Sequence, residues 1–554
     1  MKKLFIIYVI AASIGFSSCT GLFGEGQLDM APVEDINEDK IFSDYAMFRQ
    51  YADQAYSYMP GHLGRLWNSL VSSMGDESRN KGGCTAIFNN GAWDGTRMDT
   101  SNKMVDANNE ISDMWQNMYI GIRKANKIIE NIDRIPNFPS DEIKDRCLGE
   151  AYFLRAFFYF ELIKRWGGVP IIDHTLVLNQ DNLDLPRDTY EKCVEFIEND
   201  CKTAAGLLPL KYADADNGRA SKGAALALRS RTLLYAARQL HNPTNDIAKW
   251  EKAATAAYEL ITKGWYSLPK INKDPLYDAN GGNEVLNSPQ LIFERRNSAS
   301  NNFEENNLPI SYEQGKTGNV PTQNLVDAFQ TKDGKDFDWN SGDDPYANRD
   351  PRFYRTILCN GDTWMKQTIE SYEGGKDGEG TEGATKTGYY LKKYMNETVS
   401  LDPSKPVTKE HHYILFRYAE VLLNYAEAMA EWKGESYTDD KHTMTATAAL
   451  NQVRNAANMP NITTTGDAFK ESVRRERRVE LAFEDHRFWD IRRWKIGEQT
   501  QKIYRTKITK QSDGSFRYEK VLLEERNWED KMYLYPIPLS EQILNNNLGQ
   551  NPGW

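Results

Sequence analysis

The chain has 554 residues, a formal net charge of −11 and 40% hydrophobic residues. This length can bury a large core or build several average domains, and the acidic balance disfavours nucleic acid, whose phosphates are also negative. The mean hydropathy is −0.67, and charged residues interrupt the apolar stretches beyond the N-terminus. The sequence therefore predicts no membrane-spanning helix after its first residues.

The N-terminus has the pattern of an export signal. Two lysines precede an apolar run at residues 4–12, which is well short of the roughly 20 residues that span a membrane. The following GFSSC matches a bacterial lipoprotein cleavage site, with small residues before Cys19. We expect a lipoprotein signal peptide over residues 1–18 and a lipid on Cys19, which would hold the protein at a membrane. Ordinary signal cleavage, with Cys19 incidental, is the alternative.

The remaining cysteines predict neither a disulfide framework nor a zinc site. The chain has six cysteines and no CxxC pair. Cys193 and Cys201 lie in one predicted helix, about 12 Å apart along its axis, which is too far for a disulfide. We expect no metal and no cofactor.

Helical periodicity dominates the mature chain. After a Gly-rich, acidic linker at residues 19–40, Ser43 is predicted to cap a first helix, and small residues recur where later helices must pack closely. These alternating helices resemble tetratricopeptide pairs in architecture. Long helices are predicted over residues 111–132, 142–168, 189–209, 219–240, 249–264, 413–434 and 445–460.

Residues 267–408 interrupt the helices. Gly, Asn, Asp and Pro punctuate this segment densely, and LIFERR and GYYLKKY within it look like short strands. Such an insert on a rigid scaffold commonly holds a binding site, although its loops could equally dock a partner. The fold class predicted is mainly α, with a helical-pair scaffold at 41–266, a loop-rich insert at 267–408 and a C-terminal helical region at 409–554.

Many segments, in order along nearly the whole mature chain, carry a family resemblance. They are LDMAP, WQNMYIGIRKAN, GEAYFLRAFFYFELIKRWGGVPI, GRASKGAALALRSRTLLYAA, NLVDAFQTKDG, NRDPRF, FRYAEVLLNYAEA, LNQVRNAANMP, RRERRVELAFEDHRFWDIRRWK, YLYPIP and QNPGW. With these segments the chain resembles the SusD/RagB family of nutrient-binding outer-membrane lipoproteins. The resemblance implies a lipid-anchored protein on the outer face of the outer membrane. It further implies a lid over a SusC-like TonB-dependent transporter that binds oligosaccharides, or in some members peptides, without catalysis.

Trp93 is the first candidate for ligand contact. It lies in the polar loop NNGAWDGTRM, and by resemblance this loop carries an aromatic residue that stacks on ligand in some members. Asp76 and Arg79, shortly upstream, could hydrogen-bond sugar hydroxyls or cap a helix.

Three further aromatic residues of the insert are candidates. Trp339 and Tyr346 lie among acids and glycines in KDFDWNSGDDPY, and Trp364 follows Gly361-Asp362. An aromatic platform with a few fixed polar groups suits an amphipathic ligand. Tyr277 and Tyr312 are weaker candidates.

The basic run at residues 474–478 is predicted to belong to a structural charge network. Glutamates interleave with its arginines, and Glu471 and Arg475 have the favourable spacing for a helical ion pair. A nucleic-acid site is the disfavoured alternative.

No sequence motif indicates an enzyme. GxSxG, HExxH and P-loop patterns are absent from the sequence, and no carboxylate pair of a glycosidase stands out. His411 and His412 are expected to start a helix and lack metal-ligand spacing. Calcium at Asp333, Asp336 and Asp338 is disfavoured, because the Gly and the later Glu of an EF-hand loop are missing. We therefore expect capture of an oligosaccharide, with peptide capture, a ligand-free lid and a hydrolase as the alternatives.

Overall fold

A computed structural model describes residues 38–64, 66, 68–80, 83–96, 112–213, 216–278 and 282–554. The predicted signal peptide, Cys19 and most of the linker lie outside the described residues. The described part is mainly α-helical, as predicted. Its first eight helices are α1 Glu38–Phe42, α2 Tyr45–Ala55, α3 Gly83–Asn89, α4 Ser112–Asn131, α5 Asp141–Trp166, α6 Tyr190–Leu207, α7 Lys222–Ala237 and α8 Ile247–Thr262.

The long helices from α4 to α8 pack each against the next in chain order. Ser140 caps α5 by accepting a hydrogen bond from the backbone N–H of Ile143 at 3.3 Å, and Gly167 ends it at a φ of +74°. Where α4 meets α5, a Cβ on Gly121 would stand 2.5 Å from the Phe158 ring. Glycine therefore sets how closely these two helices approach. At α2 the cap is Asp44, not the predicted Ser43.

The C-terminal region completes the same helical stack. Its first helix, α13 (Tyr418–Trp432), packs against α8 although residues 263–417 come between them. Two buried ion pairs join α7 to α13, namely Arg231 with Glu420 at 2.6 Å and Arg238 with Glu427 at 2.5 Å. The later helices are α9 Pro275–Asp278, α10 Asn302–Asn307, α11 Gln323–Val326, α12 Phe353–Thr356, α13 Tyr418–Trp432, α14 Ala446–Ala456, α15 Gly466–Glu480, α16 Arg487–Arg493 and α17 Leu539–Leu544.

The strands form antiparallel pairs, β1 with β3, β2 with β8, β4 with β7, β5 with β6 and β9 with β10. The predicted strand LIFERR lies in β2, and its partner β8 contains His411 and His412. The expectation that these histidines start a helix was wrong, since the helix α13 begins after β8. The strands are β1 Ser78–Arg79, β2 Leu291–Ser300, β3 Val320–Pro321, β4 Ile357–Leu358, β5 Thr363–Trp364, β6 Gln367–Thr368, β7 Tyr390–Leu391, β8 Lys409–Arg417, β9 Lys502–Lys510 and β10 Phe516–Glu525.

A buried charge network fixes the C-terminal helices to the rest of the fold. Arg417 contacts Glu480 at 2.5 Å and Glu484 at 2.8 Å. Arg352, from the insert, binds Glu480 at 2.7 Å and Glu476 at 2.5 Å. Within the run at residues 474–478, Glu476 has the predicted structural role in this network.

Two further sequence expectations concern cysteines and membrane-spanning helices. Cys147, Cys193, Cys201 and Cys359 are free and buried. Among those residues the structure contains no helix both long and apolar enough to cross a bilayer.

Candidate functional site

Trp339 is the sequence-predicted site residue that retains a partly exposed ring. Its indole Nε1 donates a hydrogen bond to the Asp327 carboxylate at 3.2 Å, and Phe337 packs edge-on against it with ring centroids 5.3 Å apart. The side chain is half-buried. One hydrogen bond and one aromatic contact therefore orient the indole and leave it partly exposed.

Asp327 is the residue on which this arrangement depends. It ends the short helix α11, accepts from Gln323 Nε2 at 2.7 Å and pairs with Lys520 of β10 at 2.7 Å. The same carboxylate thus joins the Trp339 loop to the β9–β10 hairpin.

The loop that carries Trp339 is held against the C-terminal helices. Gly334 has a φ of +81°, and a Cβ there would lie 2.8 Å from Pro460 Cγ. Further along, Asp336 forms an ion pair with Arg475 of α15. Asp333 binds Lys335 at 2.7 Å, so two of the three aspartates weighed as calcium ligands pair with basic side chains. The third, Asp338, accepts a hydrogen bond from the backbone N–H of Asn340 at 2.9 Å. The described residues contain no group of three or more acids, histidines or cysteines arranged to hold a metal.

A cleft of about 720 Å³ opens beside this loop. Its lining includes Asp327, several residues of α15, and Trp494 and Ile496 from the segment after α16. Five arginines and two carboxylates are among the lining residues, which are Asn324, Asp327, Ala328, Gln330, Arg454, Ile462, Ala468, Glu471, Ser472, Arg474, Arg475, Arg478, Arg487, Trp494, Ile496 and Gln499. The cleft is cationic in a chain whose net charge is −11.

The charged run of α15 divides between two helix faces. Glu476 and Arg477 are at most 1% exposed and belong to the interior. Arg474, Arg475 and Arg478 line the cleft, with side chains 26%, 38% and 16% exposed. The predicted ion pair between Glu471 and Arg475 is wrong, because Glu471 pairs with Arg474 at 2.5 Å.

Asp76 lies behind this cleft as a buried anion. Arg487 donates to it from Nε at 2.8 Å and from Nη2 at 2.9 Å, and Arg478 lies 3.1 Å away. Burial alone would raise the pKa of Asp76, but these arginines outweigh it and hold that pKa well below its ordinary value. With the residue 3% exposed, the carboxylate is committed to the protein rather than open to a sugar, and it caps no helix.

Arg79 is partly exposed and also has a partner. It lies in β1, where its Nε donates to Glu524 of β10 at 2.9 Å. Glu524 also binds Arg526 at 2.9 Å. Arg79 therefore links two strands instead of capping a helix.

Trp93 is a core residue. It is 2% exposed and contacts Phe88, Tyr535 and Trp554, with ring centroids 4.8, 5.3 and 4.5 Å away. The indole therefore packs in the core although it lies in a polar loop. Two of its partners, Tyr535 and Trp554, come from the C-terminal end of the chain, so no local pattern indicated them.

Tyr346 and Trp364 are buried as well. Tyr346 is 9% exposed and packs against Tyr518 with centroids 5.0 Å apart, and Trp364 is 4% exposed in the small β5–β6 hairpin. The weaker candidates have structural bonds, since Tyr277 donates to Glu480 and the Tyr312 hydroxyl donates to the Trp364 carbonyl at 2.8 Å. The structure does not bring the six predicted residues together, and none of them is among the residues that line the cleft. Trp339 is joined to the cleft through its hydrogen bond to the lining residue Asp327.

Two other cavities offer a comparison. One of about 790 Å³ has only aliphatic and polar lining residues such as Asn283 and Lys409. Another of about 400 Å³ is lined by Tyr212, Trp265 and Tyr266, and it is the alternative aromatic site. Sequence reasoning missed both this cavity and the arginine-lined cleft. The spacing of residues 471, 474, 475 and 478, which places them on one helix face, is the signal that could have found the cleft.

Comparison with known proteins places the chain in a family. The model of the SusD family matches residues 289–554, and a second model, described as "Starch-binding associating with outer membrane", matches residues 35–234. The chain belongs to the SusD/RagB family, as its sequence motifs predicted.

Individual relatives agree with this assignment. SusD-like protein P38 of Formosa agariphila is 26% identical over 399 residues, which are 68% of this chain and 71% of that protein. A SusD-like protein of Bacteroides fragilis has a solved structure that matches with a TM-score of 0.77 and 28% identity, covering 95% of this chain and 100% of its own. A second B. fragilis structure, titled a SusD-like carbohydrate binding protein, shares the fold with a TM-score of 0.71 at 23% identity, covering 92% and 100% of the two chains.

Proposed function

We propose that this protein is a lipid-anchored, cell-surface binding protein that captures an oligosaccharide and delivers it to a SusC-like TonB-dependent transporter. It acts by binding and performs no catalysis. The observation that carries the proposal is the partly exposed Trp339 side chain, whose indole is hydrogen-bonded to Asp327, a lining residue of the 720 Å³ cleft. Family membership, in which relatives are named carbohydrate-binding proteins, supports the same conclusion.

The site combines the two elements that sugar recognition needs. A sugar ring has an apolar face, which an indole covers well, and a rim of hydroxyls that require hydrogen-bond partners. Trp339 supplies the platform, while Asn324, Gln330 and Gln499 of the cleft supply neutral polar groups. Because Asp327 fixes the indole, little side-chain entropy remains to be lost on binding.

Delivery requires anchoring and docking. In the proposal, lipid on Cys19 holds the body at the outer membrane, facing the cell exterior. A patch of large apolar side chains supports a docking face for the transporter, since such exposed clusters mark interaction sites. These side chains, 43% to 76% exposed, are Val177, Leu178, Leu183, Leu539, Ile543 and Leu544.

Two hydrogen bonds join the two segments that carry these side chains. Asn545, just after α17, donates through Nδ2 to the Leu185 carbonyl at 2.8 Å, and Asn547 donates to the Asp184 carbonyl at 2.8 Å. Replacing Leu178, Ile543 and Leu544 by serine should reduce co-purification with a SusC-like transporter. Leu522→Ser, at a position 48% exposed on β10, is the control. Equal recovery of the transporter with both variants would remove the patch from the proposal.

Calorimetric titration of the soluble chain starting at Thr20, against oligosaccharides and peptide digests, tests the capture step. We expect a glycan that binds the native chain and binds Trp339→Ala about tenfold more weakly, because a stacked aromatic contact is lost. Trp265→Ala is the matched control at the other aromatic cavity. Binding of peptides but of no oligosaccharide would indicate that the protein captures peptides. Binding of neither would indicate a transporter lid that has no ligand of its own.

A further inference from the structure

The cleft is lined by more arginines than the recognition of a neutral sugar requires. Glu471, Arg474, Arg475 and Arg478 recur at spacings of three and four along α15 and all line the cleft. Residues at this spacing share one helix face. Arg454 and Arg487 add two more guanidinium groups, against the carboxylates of Asp327 and Glu471.

The carboxylates near these arginines are shared. Asp76 serves both Arg478 and Arg487, and Asp327 is already paired with Lys520. Glu476 serves Arg454 at 2.9 Å and Arg352 at 2.5 Å. Asp76 and Glu476 therefore each face two guanidinium groups, and Asp327 is already occupied by a lysine.

Two of the arginines are also incompletely hydrogen-bonded. The buried Nε atoms of Arg474 and Arg478 have no acceptor in the described structure. Burial, with help from neighbouring Arg487, lowers the pKa of Arg478 to about 10 although Asp76 opposes the shift. Arg478 therefore remains a cation at neutral pH, in surroundings that do not fully compensate its charge.

The accessible arginines can exchange their present partners for a ligand. Glu471 and Asp336, which pair with Arg474 and Arg475, are 67% and 66% exposed. Exposed pairs of this kind contribute about 0–1 kcal/mol, so a ligand anion can displace them. Guanidinium groups bind carboxylate and sulfate with two parallel hydrogen bonds.

We infer that the arginine face of α15 is a subsite for the anionic substituents of the captured glycan, either the carboxylate of a uronic acid or a sulfate ester. The inference rests on the proposed function and names its ligand class. Trp339 would receive the sugar ring, and Arg474, Arg475 and Arg478 would receive the charge.

The experiment uses the soluble chain starting at Thr20 and an array of chondroitin, heparan and carrageenan oligosaccharides. Each is offered in its native form, after desulfation and, where it contains uronic acid, after carboxyl reduction. The test variant is Arg474→Gln with Arg475→Gln. The control is Arg134→Gln with Arg517→Gln, which removes the same charge from ion pairs elsewhere, where the arginine side chains are 47% and 64% exposed.

We expect the anionic forms to bind more tightly than their neutral counterparts and the test variant to bind them about tenfold more weakly. The control should bind as the native chain does, and raising the salt from about 50 mM to about 500 mM should weaken binding. Loss on desulfation alone assigns sulfate, and loss on carboxyl reduction alone assigns uronate. Preference for a neutral glycan, unchanged in the test variant, would overturn the inference and leave the proposed function standing. Binding to no glycan would overturn both.

Discussion

The indole of Trp339 and the carboxylate of Asp327 are joined by a hydrogen bond of 3.2 Å across a loop of the insert. Asp327 therefore acts as a positioning residue, since it holds the ring that is proposed to meet the sugar. Asp327→Ala should lower oligosaccharide affinity severalfold, whereas Asp327→Asn, which keeps an acceptor oxygen, should restore most of it. Calorimetric titration of both variants checks this. Equal loss of affinity in both would show that charge, and not orientation, is what matters.

Trp93→Ala should affect stability and not recognition. The indole is 2% exposed and contacts three other aromatic rings, so its removal leaves a cavity that costs about 3–5 kcal/mol. Urea unfolding of the variant measures this cost. Trp339→Ala, at a half-buried position, is the control, and we expect it to change the free energy of unfolding by less than about 1 kcal/mol. A stable Trp93→Ala protein that has lost its sugar affinity would restore Trp93 as a ligand contact.

The raised pKa of buried Glu77 predicts that the protein loses stability as the pH rises. Burial raises its pKa from the ordinary 4.5 to about 7, although the Phe483 N–H bond opposes the shift. The folded state therefore holds a proton that the unfolded state releases between pH 4.5 and 7, and stability falls as the pH rises through this range. Glu77→Gln should be the more stable protein at pH 8 by up to about 3 kcal/mol, with the difference vanishing near pH 4. Denaturant unfolding of the native protein and of Glu77→Gln across this pH range measures the difference. A constant difference in the free energy of unfolding at every pH would refute the prediction.

The lowered pKa of Glu484 predicts the opposite pH dependence of stability. Burial would raise its pKa, but Arg417 and Lys393 outweigh burial and lower it below 4.5. Its stabilising contribution is therefore present above the ordinary pKa and is lost as the pH falls through the lower folded value. Glu484→Gln leaves Arg417 partly unpaired and should cost about 3–5 kcal/mol at pH 7. Thermal unfolding at pH 7 and in acid checks both the loss and its decline at low pH.

The helical scaffold was largely predictable because its signals are local. Periodicity and end signals such as Gly167 located the long helices to within a few residues. The segment YILFR was predicted as helix but forms part of β8, since a continuous apolar run has no period that separates helix from strand.

The candidate site was less predictable because its contacts are remote in sequence. Asp76 and Arg487 are 411 positions apart, and Trp93 meets Trp554 at the opposite end of the chain. No local pattern reports such partners. Trp339 was identifiable because its own surroundings in sequence are acidic and Gly-rich and its contact to Asp327 spans only 12 residues.

A crystal structure of the soluble chain with the tightest-binding oligosaccharide of the panel would show where the ligand sits. We expect a sugar ring stacked on the Trp339 indole, with the rest of the ligand extending into the cleft along α15. A ligand seated in the cavity of Tyr212, Trp265 and Tyr266, with the Trp339 ring uncovered, would contradict it.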